Sequence, residues 1–166
     1  MSERRDPTER EALSALRGDD PARAARAADL LWQMWHRSGN PAVDSTLRQG
    51  IEAMQRQEID KAEAVFTHLI EIAPDFAEGW NKRATVHYLA GDFQRSLADC
   101  HEVIKRNPVH FGALSGYGQI YFRLEQYDKA IEYWRRALAV NPNMPGVEIN
   151  IQGAEELLKE KKGRAI

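Results

Sequence analysis

Proline recurs along this chain at one spacing. Pro74, Pro108 and Pro142 lie 34 residues apart, and Pro41 lies 33 before Pro74. Sliding the sequence by 34 aligns whole columns of like residues. Thr46, Trp80 and Leu114 fall together, as do Gly50, Ala84 and Gly118, and Met54, Tyr88 and Phe122. Gln57, Gly91 and Glu125 share a column, then Ala62, Ser96 and Ala130, then Phe66, Cys100 and Trp134, then Ile70, Ile104 and Leu138. The columns read bulky, small, aromatic or apolar, turn, small, bulky, apolar. A chain built this way folds as stacked copies of one unit, because no single copy can bury its own apolar faces.

Each copy holds two stretches with apolar residues at helical spacing, such as Ala130, Tyr133, Trp134, Ala137 and Leu138. A short turn separates them, Gly91-Asp92 in the second copy. The small columns at 50/84/118 and 62/96/130 are expected to face each other, so that the two helices of a pair approach closely. Asn107-Pro108 and Asn141-Pro142 end the second helix of their copies. Asn tolerates the left-handed cap conformation, and Pro cannot continue a helix. No segment reads as a strand.

This pattern resembles the tetratricopeptide repeat. The third copy carries it most fully: Leu114, Tyr117, Gly118 and Tyr121, then Ala130, Trp134, Ala137 and Pro142. The second has Trp80, Ala84, Gly91, Ser96, Cys100 and Pro108, but departs at Arg83 and His87, where the family prefers Leu and Tyr. The first has Gly50, Ala62, Phe66, Leu69 and Pro74, with Thr46 and Gln49 at usually apolar positions. The resemblance implies an all-α solenoid of antiparallel helix pairs, with repeats over 43–76, 77–110 and 111–144. The chain as a whole, especially Ala73 to Ala98 with its run from Asp75 through Trp80 to Ala84, also resembles a group of small bacterial proteins of this class with no settled biochemical function.

The flanks extend the array. Residues 1–7 are charged and read as a disordered tail. Residues 8–40 read as a degenerate helix pair packed on the first repeat as a cap. Its first helix runs from about Thr8 to Leu16. Its second has Asp20 as N-cap and Pro21 at the first helical position, and reaches about Arg37. Trp32 and Trp35 on it are assigned mainly to core packing, with self-association or a helix folded back into the groove as the alternatives. Residues 145–166 read as a terminal capping helix, Val147 to Leu158 on its inner side, and a lysine-rich end suited to a helix C-terminus.

Composition narrows the function. A net charge of −2 with 29% charged residues argues against nucleic-acid binding, which calls for a basic excess. No apolar run approaches the roughly 18 residues of a membrane span, so no membrane insertion is expected. One cysteine, Cys100, excludes an internal disulfide and a cysteine-cluster zinc site. The five histidines form no zinc motif, and no glycine loop matches a phosphate cradle. Cys100 with His87 is the one pairing worth inspection, although a free cysteine in a bulky column is ordinarily core. The expectation is a non-enzymatic protein without metal or cofactor. No apolar leader follows Met1, so it is expected in the cytoplasm, or exported if a leader belonged to the natural protein.

Repeats of this family hold partner proteins on the concave face made by their first helices. Carried over column by column, that face contains Asp44, Leu47, Ile51, Met54 and Gln55. The second copy adds Glu78, Asn81, Thr85, Tyr88 and Leu89, and the third adds Gly112, Ser115, Gln119, Phe122 and Arg123. Met54, Tyr88 and Phe122 form an in-line platform for an extended peptide or a helix, and Asn81, Thr85, Ser115 and Gln119 can bond a bound backbone. Co-chaperones of the Hsp70/Hsp90 class clamp a C-terminal carboxylate at positions held here by Leu47, Ile51, Gly112 and Gly116, none of which offers a charged donor. The resemblance thus implies a binder of apolar or mixed peptides, an adaptor, assembly factor or chaperone. The alternative is a self-associating scaffold joined through Trp32 and Trp35 or through the array ends. A monomer or weak homo-oligomer is expected.

Overall fold

The computed structural model describes residues 5–164. Their order is α1 (Pro7–Leu16), α2 (Pro21–Trp35), α3 (Pro41–Gln55), α4 (Ile59–Ile72), α5 (Ala77–Leu89), α6 (Phe93–Arg106), α7 (Phe111–Arg123), α8 (Tyr127–Val140) and α9 (Pro145–Arg164). Among the described residues there is no strand. The helices pack as pairs, α1 with α2, α3 with α4, α5 with α6 and α7 with α8, and α9 closes on α8. The first helices also touch one another, α3 on α5 and α5 on α7, which makes theirs the inner row.

Local sequence sets the helix ends. The side chains of Asp6, Asp20 and Asn40 accept the first backbone N–H groups of α1, α2 and α3, each followed by Pro at the start of the helix. Asp6 therefore belongs to the fold. Arg5 does too, with its guanidinium 2.6 Å from Glu9. Of the tail expected over 1–7, residues 1–4 lie outside the described part. The second helix of the N-terminal pair stops at Trp35, short of Arg37, where His36 caps it.

The left-handed turns do not sit at Asn-Pro. Asn107 and Asn141 are extended, with φ of −141° and −127°, because a following proline disfavours the helical region. The left-handed residues are instead Gly39, at φ 86° just ahead of Asn40-Pro41, and the turn column between paired helices: Gln57 at φ 60°, Gly91 at 79° and Glu125 at 58°. Within that column only Gly91 adopts this without steric cost.

The columns pair small against large. A Cβ on Gly50 would run into the ring of Phe66, and one on Gly118 into the indole of Trp134. In the first and third repeats, then, the small column at 50/118 receives the ring of the bulky column. In the second repeat Ala84 and Cys100 hold the equivalent places, and there the Ser96 hydroxyl does face its counterpart, donating 2.7 Å to the Ala84 carbonyl.

The N-terminal pair packs elsewhere than expected. Its core of Ala12, Leu16, Ala27 and Leu31 meets Phe111 and Val140, at the junctions after the second and third repeats. Asn143 donates 3.3 Å to the Leu16 carbonyl. The pair therefore crosses the inter-repeat loops along one edge of the array. It is not a cap on the first repeat. Nor are both tryptophans core: Trp32 is 57% exposed, stacked only on His36 at 3.9 Å.

Candidate functional site

Two features of the second repeat define the inner face. The first is a slot between α5 and α7 of about 120 Å³. Asn81, Ala84, Thr85 and Tyr88 line it from α5, and Gly112, Gly116, Gln119 and Ile120 from α7. Ser96 and Cys100 of α6 form its floor. The lining is mostly carbon. Gln119 donates 3.2 Å to the Tyr88 hydroxyl across the slot, and the Arg123 guanidinium lies 5.8 Å over the Tyr88 ring.

The second feature is a buried polar node beside it. Glu78, in the first turn of α5, has no exposed surface. The Ala113 N–H donates 3.0 Å to His110 Nδ1, so the His110 proton sits on Nε2 and points to the Glu78 carboxylate. Asn81 Nδ2 donates 3.2 Å to Glu78 Oε2. His36, brought in by the N-terminal pair, donates from Nδ1 to the Trp32 carbonyl at 2.7 Å. Its bare Nε2 is buried without a hydrogen bond, 3.4 Å from Glu78 Oε2. Burial alone raises the Glu78 carboxyl, yet the His110 hydrogen bond and the nearby His110, His36 and Lys82 hold it below its ordinary range. Trp35 covers the node, stacked 4.9 Å from His110 and donating Nε1 to Glu9 at 3.1 Å. The sequence reading missed this node, because His110 and His36 lie 32 and 42 residues from Glu78, at the caps of two other helices.

The other expected residues divide by exposure. Asn81, Thr85, Tyr88 and Gln119 gather on the slot. Leu47 is 3% exposed, a core residue of the first repeat with nothing to offer a partner. Ile51 and Met54 pack against that same core. Phe122 turns toward Tyr127 and Trp134, with centroids 5.5 and 5.8 Å away, and is a half-buried wall more than a platform. Ser115 gives its carbonyl to Trp134 Nε1 at 3.2 Å. Arg123 is exposed, with its guanidinium over the Tyr88 and Phe93 rings beside the slot.

The departures at Arg83 and His87 are coupled through a third residue. Arg83 holds Asp99 with Nε and Nη2, each at 2.8 Å, and His87 Nε2 lies 3.5 Å from the same carboxylate. His87 is thus turned to Asp99 and not to Cys100. Burial, with the Asp99 charge, pushes the Cys100 thiol up to about 12, the opposite of what a nucleophile needs.

Two models of the tetratricopeptide repeat match residues 47–100 and 113–144, together just over half the chain. The chain belongs to the tetratricopeptide repeat family. A TPR repeat-containing protein of Rhizobium etli is 29% identical over 123 residues, 74% of this chain and 60% of that protein. The chain therefore spans three fifths of that relative's length. Solved structures share the fold. The Sgt2 TPR domain from Aspergillus fumigatus superposes with a TM-score of 0.71 at 22% identity, covering 76% of this chain and 85% of that one. The first TPR of Spaghetti (RPAP3), bound to HSP90 peptide SRMEEVD, gives 0.69 at 19% identity over 70% and 93%.

Proposed function

We propose that this tetratricopeptide array is a non-enzymatic protein-interaction module that holds a peptide or helix of a partner protein in the groove of α3, α5 and α7. The observation that carries this reading is the open slot between α5 and α7, where Asn81, Thr85, Tyr88 and Gln119 converge around an apolar floor. The N-terminal pair lies along the edge of the array and contributes no residue to that slot. The RPAP3 domain of like fold holds an HSP90 peptide, which supports a peptide as the bound form. The adaptor, assembly or chaperone role would follow from what the partner is.

The test is selection of segments from a random-peptide library against the whole chain, followed by titration of one selected segment. Thr85→Arg is the blocking variant, because Thr85 is exposed on the groove and its hydroxyl only returns 3.2 Å to the Asn81 carbonyl in its own helix. Loss of binding with unchanged helical content supports the groove. Binding that survives Thr85→Arg moves the site elsewhere. Exposed Trp32 favours a second reading, self-association through α2; a monomer by light scattering at high concentration removes it.

A further inference from the structure

The second repeat leaves a hole where its sisters put an aromatic ring. Phe66 and Trp134 fill the space beside Gly50 and Gly118, whereas Cys100 stands in that column beside Ala84, and both residues border the slot. The glycines of the array show that the opening is not a by-product of packing. At Gly50 and Gly118 any side chain would collide with a ring. At Gly116, in mid-helix, an added Cβ would meet only Cys100 Sγ, at 3.8 Å, an ordinary contact. Glycine is among the poorest residues for a helix interior, and nothing in the packing requires it at 116. What it does is keep the slot open.

The rim has a definite polarity. The carboxylate of Glu78 can only accept, so the Asn81 amide is fixed with its nitrogen toward Glu78, and its oxygen is left to accept from a ligand. No charged side chain lines the slot; Arg123 stands over the Tyr88 ring, and the ionised group behind Asn81, at the edge that would meet a ligand backbone, is an anion. Backbone N–H donors match this edge, and a chain-terminal carboxylate does not. An extended segment presents such N–H groups, whereas a helix uses its own. A volume of about 120 Å³ is well below the roughly 300–1,000 Å³ of small-molecule pockets, and suits one side chain.

Building on the groove reading, we propose that this slot takes a single leucine- or methionine-sized apolar side chain from an internal, extended segment of a partner protein, with a segment N–H bonded to the Asn81 side-chain oxygen. The same face of α7 that carries cations in the carboxylate-clamping members is here the mouth of an apolar pocket.

The probes are N-acetyl-leucine methylamide, N-acetylglycine methylamide and N-acetyl-leucine with its free carboxylate, titrated into the isotope-labelled whole chain and read by NMR. The leucine methylamide is expected to shift the amides of Asn81, Gly116 and Gln119. The glycine probe and the carboxylate should be roughly tenfold weaker or more. Gly116→Leu, which fills the slot, should abolish the shifts. Gly116→Ala, whose methyl the fold accommodates, should weaken them and guards against misfolding of the larger variant. Scattered shifts, shifts that persist in both variants, or tighter binding of the carboxylate would overturn the proposal. The library-selected segment separates the two readings. If it binds Gly116→Leu like the parent chain but is lost with Thr85→Arg, the slot assignment falls and the groove stands. If it ignores Thr85→Arg, the groove reading itself falls.

Discussion

The second repeat and its two neighbours solve the same packing problem with different chemistry. The first and third bury a ring, Phe66 or Trp134, against a glycine, and both rings are essentially without exposed surface. The second buries Cys100 against Ala84 and fills the rest of its interior with polar groups. Of the seven buried polar or charged side chains among the described residues, six lie in it: Glu78, His87, Ser96, Asp99, Asn107 and His110. A repeat whose neighbours on both sides are apolar can carry such an interior, because stacking interfaces hold each unit between two others. The difference locates specialisation. The outer repeats secure the array, and the middle one carries the groove slot and the polar node that meets His36 of the N-terminal pair.

That division predicts unequal costs of truncation. Trp134→Ala and Phe66→Ala should each lose about 3–5 kcal/mol, because each empties a fully buried ring site against a glycine that cannot fill it. Cys100→Ala, in the same column, should lose about 1 kcal/mol, since the slot already lies beside it. Urea unfolding of the three variants measures this. Equal losses would break the contrast between repeats. Arg83→Ala comes next, at about 2–3 kcal/mol. It strips Asp99, 3% exposed, of both guanidinium bonds and leaves His87 as its close neighbour. The same urea measurement reads it, and a loss below about 0.5 kcal/mol would mean that water reaches Asp99 and that the polar interior is less closed than its burial indicates.

Much of the fold was written in the 34-residue columns, because helix pairing depends on side-chain size at fixed spacing, and size is visible in sequence. The same columns showed that Arg83 and His87 depart from the pattern, and read Cys100 as an ordinary member of the bulky column. They did not show that the first two meet at Asp99, or that the third opens a slot, because both facts depend on which faces of α5 and α6 meet. The N-terminal pair was legible as helices, down to the Asp20 cap and Pro21. Its docking place was not. No periodic rule governs a contact such as Leu16 with Asn143, between residues 127 apart. Of the groove residues, Asn81, Thr85, Tyr88 and Gln119 follow from column position. Leu47 and Phe122 were misplaced because a helix with two neighbours buries more than one stripe.

The smallest expected effect tests whether the polar node of the second repeat truly anchors the N-terminal pair. Docked, His36 is held below its ordinary value of 6.5 by burial, which outweighs the attraction of Glu78; Lys82 and His110 act in the same direction as burial. Released, the imidazole returns to its ordinary titration. The proton therefore prefers the released state, so docking is at full strength above pH 6.5 and weakens as the pH falls through and below it. Glu78 stays ionised across this window, because its carboxyl lies below the carboxylate range. Trp32, stacked 3.9 Å from His36, and Trp35, stacked 4.9 Å from His110, report the change by fluorescence. A mild acid transition is expected in the parent chain and not in His36→Gln, which cannot gain a proton. Tighter docking on acidification would reverse the balance. The bare His36 Nε2, once protonated, would then pair with Glu78 strongly enough to overcome its burial, and the node would be a salt bridge waiting for its proton.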